Sequence, residues 1–392
     1  MLLWMCVLIA INQLGFGALV PSLPLYAQAF GVSASAIGMA IGIYGLARFV
    51  VALPAGKLSD WMGRRSTIAL GGLISGTGNL WCAFATGYPE FLIARFVAGF
   101  GAGLIVTTGQ VVLADISTPE RRGRVLAIYQ ATFIFAVGIG PLPGGLLAEY
   151  YGLAAPFIGT GCASLVAMTI AWFVVPETRD VAWNRAVNVE AMPSFITQLR
   201  LMTAQTGYML VCLVGFVNSF VRTGGLFSII PLYAVMEYGM TTGEVGLALV
   251  TGSFAGLIAA YPAGALSDRY GRKAIIVPST MLSGATLALF CFAPNALWFA
   301  SAFVLWTVSS SIGGAAPAAY AGDSAPRGMN AAALSTFRMT GDAGYVLGPF
   351  LLGLFVDVFN TIVALLIAMS MSLLVGLAFA IWAPESHKGA AG

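Results

Sequence analysis

Charge is scarce in this 392-residue sequence: Asp, Glu, Lys and Arg together make up 8% of it, against 59% hydrophobic residues. Soluble domains average about 25% charged residues, so too little polar surface exists to cover a water-soluble globule. Histidine is scarcer still, with a single copy, His387, in the C-terminal tail. That argues against His-based catalysis and His-ligated metal sites. The five cysteines, Cys6, Cys82, Cys162, Cys212 and Cys291, are odd in number, form no C-x-x-C and all fall in apolar runs. They suggest neither a disulfide framework nor a metal cage. Paired acids at depth are missing too, so the reading is not an enzyme and no cofactor is expected. Period-2 alternation is absent, which excludes a membrane β-barrel. The opening MLLWMCVLIAINQLGFGALV lacks a basic n-region and a cleavage site, so it reads as a first span rather than a signal peptide.

Apolar runs of about 20 residues recur instead, each long enough to cross a hydrocarbon core, and continuous in the way helices require. The fold class is an all-α polytopic membrane protein with the lipid bilayer as its surroundings. Twelve transmembrane helices are expected, at roughly 3–27, 34–55, 66–86, 90–114, 125–148 and 155–175, then 206–233, 243–263, 274–293, 296–320, 330–355 and 358–383. Of the eighteen Lys and Arg residues, fourteen fall in loops after even-numbered spans, in the connector or in the tail. These are Lys57, Arg64, Arg65, Arg121, Arg122, Arg124, Arg179, Arg185, Arg200, Arg269, Arg272, Lys273, Arg327 and Lys388. Loops after odd-numbered spans carry only Glu90, Glu149, Glu237, Glu244 and Asp357. By the positive-inside rule both termini are cytoplasmic. The net charge of +3 is thereby explained by topology, and no nucleic-acid partner is implied.

One polar phrase is written twice. PAGKLSDWMGRR at 54–65 and PAGALSDRYGRK at 262–273 share eight of twelve positions, 208 residues apart. Asp115 and Asp323, Gly140-Pro141 and Gly348-Pro349, and Pro176-Glu177 and Pro384-Glu385 repeat at the same offset. Pro24-Leu25-Tyr26 and Pro231-Leu232-Tyr233 repeat at 207. The chain divides into two six-helix, pseudo-symmetric halves, 1–176 and 206–392, joined by a cytoplasmic connector, 177–205. An even number of spans per half gives both the same orientation, with a site expected near mid-membrane.

These residues resemble the major facilitator superfamily over essentially the whole chain. Its loop signature G-x-L-x-D-x-x-G-R-[RK] stands as Gly56, Leu58, Asp60, Gly63, Arg64 and Arg65, and again as Gly264, Leu266, Asp268, Gly271, Arg272 and Lys273. The span-4 signature stands as Arg95, Gly99 and Gly101, and the span-5 signature as Gly140, Pro141, Gly144 and Gly145. The last resembles the drug:proton antiporter branch, although Ala136 replaces the usual upstream glycine. The resemblance implies alternating access, proton coupling at Arg95, and a cavity lined by spans 1, 4 and 7.

Two readings of the repeated loop stand side by side. A topogenic role explains its basic residues but leaves Gly56, Asp60, Gly63, Gly264, Asp268 and Gly271 at fixed spacing unexplained. A conformational latch explains them: glycine permits close backbone approach, and a loop carboxylate pairs with arginine or meets a helix N-terminus. Such a latch holds only when the halves close on the cytoplasmic side. Asp115 and Asp323 are the expected partners of Arg64 and Arg272. Gly99, Gly101 and Gly103 read as helix-thinning positions, and GIGPLPGG as a bend with packing or hinge roles, rather than nucleotide loops.

Four arginines lie inside spans: Arg48, Arg95, Arg222 and Arg338. Lipid exposure of any of them is excluded on cost, although Arg48 is near enough to an end to snorkel. Arg222 has no counterpart in the first half, where Gly15 takes the matching place, and that asymmetry suits substrate specificity. Arg338 and Asp342 share one face of span 11. They are either a self-neutralising pair or a proton-coupling site, Asp342 being the only acid well inside a span. Asn12, Gln13, Gln110, Gln130 and Asn218 are further substrate-cavity candidates. The expected function is proton-coupled efflux of a small organic molecule by a functional monomer in the plasma (inner) membrane. The alternatives are a proton symporter or facilitator importing a sugar or organic acid, and a non-transporting membrane sensor. Several arginines and few acids point to an anionic or zwitterionic substrate rather than a lipophilic cation.

Overall fold

The computed structural model describes residues 1–117, 119–178, 195–325 and 329–386, and within them every element is helical. Most of the connector, His387 and the loop cations Arg179, Arg185, Arg327 and Lys388 lie outside the described residues. In chain order the helices are α1 Leu2–Leu19, α2 Leu23–Gln28, α3 Ala34–Met62, α4 Arg64–Ala83, α5 Tyr88–Ile116, α6 Pro119–Ile139, α7 Pro141–Tyr151 and α8 Ala155–Val174. Then come α9 Phe195–Thr203, α10 Thr206–Val221, a π-helical segment Arg222–Ile229, α11 Ile230–Tyr238, α12 Thr242–Tyr270 and α13 Lys273–Cys291. The chain continues with α14 Ala296–Ile312, α15 Ala316–Asp323, α16 Asn330–Val358 and α17 Thr361–Trp382. Breaks at Val20–Ser22, Gly140 and Gly313–Ala315 fall inside single spans, so with α9 set aside in the connector the remaining sixteen helices and the π segment amount to twelve crossings.

Eleven of these crossings are apolar enough to span by composition alone. The twelfth, α4, carries Ser66, Thr67, Ser75, Thr77 and Asn79 among four glycines. Its low hydropathy has a structural cause. Gly71 and Gly72 lie against the backbones of Gly101 in α5 and Met168 in α8, so α4 presents small and polar residues to protein. Interhelical contacts in lipid depend on such close backbone approach. On α5, Gly99 faces the backbone of Tyr44 and Gly101 that of Ser75, where any Cβ would collide.

The structure forms two compact units, which do not follow the chain halves strictly. The first holds Met1–Val32, the described part of Met39–Asn188, and Thr241–Val250; the second holds Ser33–Gly38 and the described parts of Val189–Met240 and Thr251–Gly392. Each unit therefore includes the opening turns of a helix from the opposite half. Acid caps secure both. In the second unit the backbone N–H groups of Ala34 and Ser35 donate to the Asp357 carboxylate at 2.7 and 2.9 Å. In the first, Gly243 N–H donates to Glu149 Oε2 at 3.1 Å and Thr242 Oγ1 to the Gly145 carbonyl at 2.9 Å. Carboxylates complete the unsatisfied N–H groups of a helix start and meet its positive dipole end. Glu149 and Asp357 are 208 residues apart, as are Ser35 and Gly243, so the repeat extends to the caps.

Candidate functional site

In the first unit Arg95 is 1% exposed, two turns into α5. Its Nε donates to the Ala40 carbonyl at 3.2 Å, and its guanidinium lies 4.5 Å from the centre of the Tyr44 ring. Nη1 is buried without a partner among the described residues. Tyr44 of α3 stacks on Phe16 of α1 with ring centres 5.5 Å apart. One turn before Phe16, Asn12 Oδ1 and Gln13 Nε2 are also buried and unpartnered, as is Thr108 Oγ1 farther along α5. A buried polar atom left unsatisfied costs about 1–3 kcal/mol, and the π face supplies an arginine with only about 0.5–2 kcal/mol. A water or ligand is what such atoms are suited to receive. Arg48 and Gln110 are half-buried, whereas Gln130 is exposed on α6.

In the second unit the interior is set by a helix irregularity. Pro231 has no N–H to donate to the preceding turn, and Gly224-Gly225 lies just before it. Here the chain widens into the π segment, a geometry frequent at functional sites. Thr223 Oγ1 donates to the Ser219 carbonyl at 2.8 Å and to that of Tyr345 in α16 at 3.2 Å. Phe227 meets the Tyr345 ring edge-on at 6.5 Å. Gly344 and Gly348 of α16 sit against the backbones of Phe216 and Phe220, holding α16 beside α10. Arg222 opens the π segment and is exposed; Asn218, one turn earlier, is half-buried. Arg338 and Asp342 are both exposed, one turn apart on α16, and the geometry does not join them into an ion pair.

The repeated loop is more helical than its composition suggests. Gly56 and Asp60 are inside α3, and Gly264 and Asp268 inside α12; a single residue, Gly63, separates α3 from α4. Polar side chains beyond the apolar run do not stop a helix whose i→i−4 ladder continues. Gly63 stops it: its φ is +92° and that of Gly271 is +98°, backbone that side chains rarely adopt. Arg64, 4% exposed, then donates from Nε to Asp115 at 3.1 Å and from Nη1 to Asp60 at 2.5 Å and the Ser59 carbonyl at 3.0 Å. Burial opposes its charge, but the bonds to Asp115 and Asp60 outweigh this and raise its pKa. The twin is the same in kind: Arg272 donates from Nε to Asp323 at 3.2 Å and from Nη1 to Asp268.

Glu177 and Glu385 complete these clusters. Glu177 accepts from the N–H groups of Arg64 and Arg65 at 2.8 and 3.2 Å, and Glu385 from those of Arg272 and Lys273 at 3.0 and 3.1 Å. The repeated Pro-Glu carries no role in the sequence alone, and its shared 208-residue offset is the one signal for it. Tyr44, by contrast, had none. The expectation that Gly56 and Gly264 admit a neighbouring backbone is corrected, since a Cβ at either would meet nothing within 4 Å. Accordingly, Gly56→Ala leaves thermal stability unchanged or raises it by up to about 1 kcal/mol, because glycine inside a helix is the weaker helix former. A lowered melting temperature would show that something packs there after all.

Gly140, Pro141, Gly144 and Gly145 surround the α6–α7 break. Gly140 lies against α1, where a Cβ would stand 2.5 Å from the Leu14 carbonyl, and Gly144 against the Ala18 backbone. Gly145 faces the Thr242 backbone. A surface cavity of about 570 Å³ opens beside the Arg272–Asp323 cluster, lined by Gln205, Tyr208, Tyr320, Asp323, Ser324 and Pro384. It includes none of the residues expected to hold substrate.

Residues 5–243 and 211–392 each match the sequence profile of the Major Facilitator Superfamily. An uncharacterized MFS-type transporter of Methanocaldococcus jannaschii is 24% identical over 347 residues, covering 88% of this chain and 89% of that protein. The quinolone resistance protein NorA of Staphylococcus aureus is 23% identical over 286 residues, covering 73% and 71% respectively. The crystal structure of a D-xylose-proton symporter superposes with a TM-score of 0.77 at 16% identity over 99% of both chains, a likeness of fold.

Proposed function

The chain belongs to the major facilitator superfamily, and from that premise we propose that it exports a small organic molecule in exchange for protons. The carrying observation is Asp342, a carboxylate exposed near the middle of the 29-residue spanning helix α16, with Arg338 one turn away. Charges at that depth cannot face hydrocarbon and mark water-filled pathways and proton relays. Arg95, held by one carbonyl and a ring face, supports a second charge-bearing position in the first unit. The Gly140–Gly145 motif and the resistance protein NorA favour export over import. Glu177, Asp115, Arg64 and their twins are read as latches whose clusters hold each unit's α3–α4 or α12–α13 junction. The basic residues at those junctions support a cytoplasmic side for them and for both termini, in the plasma (inner) membrane. A monomer moving by alternating access suffices for this activity.

Everted membrane vesicles test the proposal. With an acidic lumen, addition of a transported substrate should release lumenal protons, seen as recovery of a quenched pH dye. Collapse of the gradient by a protonophore should stop substrate accumulation. Accumulation indifferent to the gradient overturns the exchange mechanism, and proton movement in the same direction as substrate establishes symport instead.

A further inference from the structure

Arg222 stands sixteen residues from Thr206 and sixteen from Tyr238, at the centre of a 33-residue span. At 1.5 Å per residue that is about 24 Å from either end, beyond the reach of a snorkelling side chain. Nevertheless it is exposed. Among the described residues no carboxylate lies within ion-pair distance of it and no hydrogen bond pins its guanidinium. An arginine does not give up its proton in a protein, so it is a fixed positive charge and not a proton carrier. Nor does the fold demand one here. In the repeat the matching residue is Gly15, where a Cβ would stand 2.6 Å from Thr160 Cγ2 and whose carbonyl accepts from Thr160 Oγ1 at 3.2 Å. Helix packing closes that position in the first unit, while the π segment leaves it open in the second.

Resting on the transporter reading above, we propose that Arg222 anchors the carboxylate of an organic-acid substrate. A planar guanidinium fork matches two carboxylate oxygens in a bidentate pair. Binding supplies the counter-charge that the protein withholds, so the anion is recognised where neutral and cationic analogues are not. Tyr345, joined to the same segment through Thr223 and Phe227, gives the site an aromatic flank.

The experiment uses the full chain in lipid nanodiscs at neutral pH, titrated with naphthoate, naphthamide and tetraphenylphosphonium while thermal unfolding is followed. Naphthoate should stabilise the wild type saturably, with naphthamide at least about tenfold weaker (about 1.4 kcal/mol). Arg222→Gln should weaken naphthoate at least about tenfold, and Arg222→Lys less. Without ligand, Arg222→Gln should melt no lower than the wild type, because it removes an unpaired charge, whereas a structural arginine would lower it. Equal binding of naphthoate and naphthamide, no stabilisation by naphthoate, or naphthoate binding untouched by Arg222→Gln each overturns the assignment. Naphthoate binding without proton-driven flux would count against proton exchange and leave the anchor standing. Proton-driven flux of tetraphenylphosphonium indifferent to Arg222→Gln does the reverse.

Discussion

Arg64→Ala lowers the stability of the purified protein by about 3–5 kcal/mol, the usual cost of stripping one partner from a buried pair. Arg272→Ala lowers it by about half as much. The two arginines occupy equivalent places in the repeat and bond equivalent acids, so sequence offers no reason for a difference. Solvent does. The Arg64 and Asp115 side chains are 5% and 10% exposed, whereas those of Arg272 and Asp323 are 16% and 34% exposed. Water rescues an abandoned carboxylate in proportion to its exposure, and exposed ion pairs are worth little. Removing Arg64 also leaves the Ser59 carbonyl without its 3.0 Å donor. Chemical or thermal unfolding of both variants in one detergent checks the order; equal losses would mean that the two junctions are equally dry.

Asp342→Asn reduces pH-driven substrate accumulation in proteoliposomes to the level of protein-free liposomes, while substrate exchange at zero gradient persists. Asparagine keeps the size and hydrogen-bonding capacity of the side chain but cannot take up a proton. A carboxylate needed only to neutralise Arg338 would behave otherwise. Its replacement would leave an unbalanced charge on α16 and impair exchange and driven transport alike. Retained gradient-driven accumulation in the variant moves the proton site to another titratable group.

How much of this was legible beforehand varies with the physics involved. Eleven crossings follow from apolar length, because lipid leaves a spanning backbone no alternative. The span ending at Ala83 was also found, although its Ser, Thr, Asn and Gly content reflects burial against α5 and α8 rather than contact with lipid. Composition points to a loop where α3 in fact runs on to Met62, since hydropathy reports where the membrane ends and not where the helix does. Arg64 and Asp115 could be matched through their common 208-residue repeat. Tyr44 could not be matched to Arg95, because that contact depends on the rotation of two helices about their axes, which no spacing encodes. The π segment left only Pro231 and a glycine pair as traces, and a proline alone is equally consistent with a simple bend.

Asp357 caps residues made 323 and 322 positions earlier. At a synthesis rate of about 5–20 residues per second, α3 emerges and inserts some 15–65 seconds before its acid cap exists. Through that interval its first N–H groups have water or lipid headgroups as partners, and the opening turn stays uncommitted. The order of biogenesis therefore leaves the second unit unfinished by design of the chain: a fragment ending before Asp357 contains all of α3 and cannot seat its beginning.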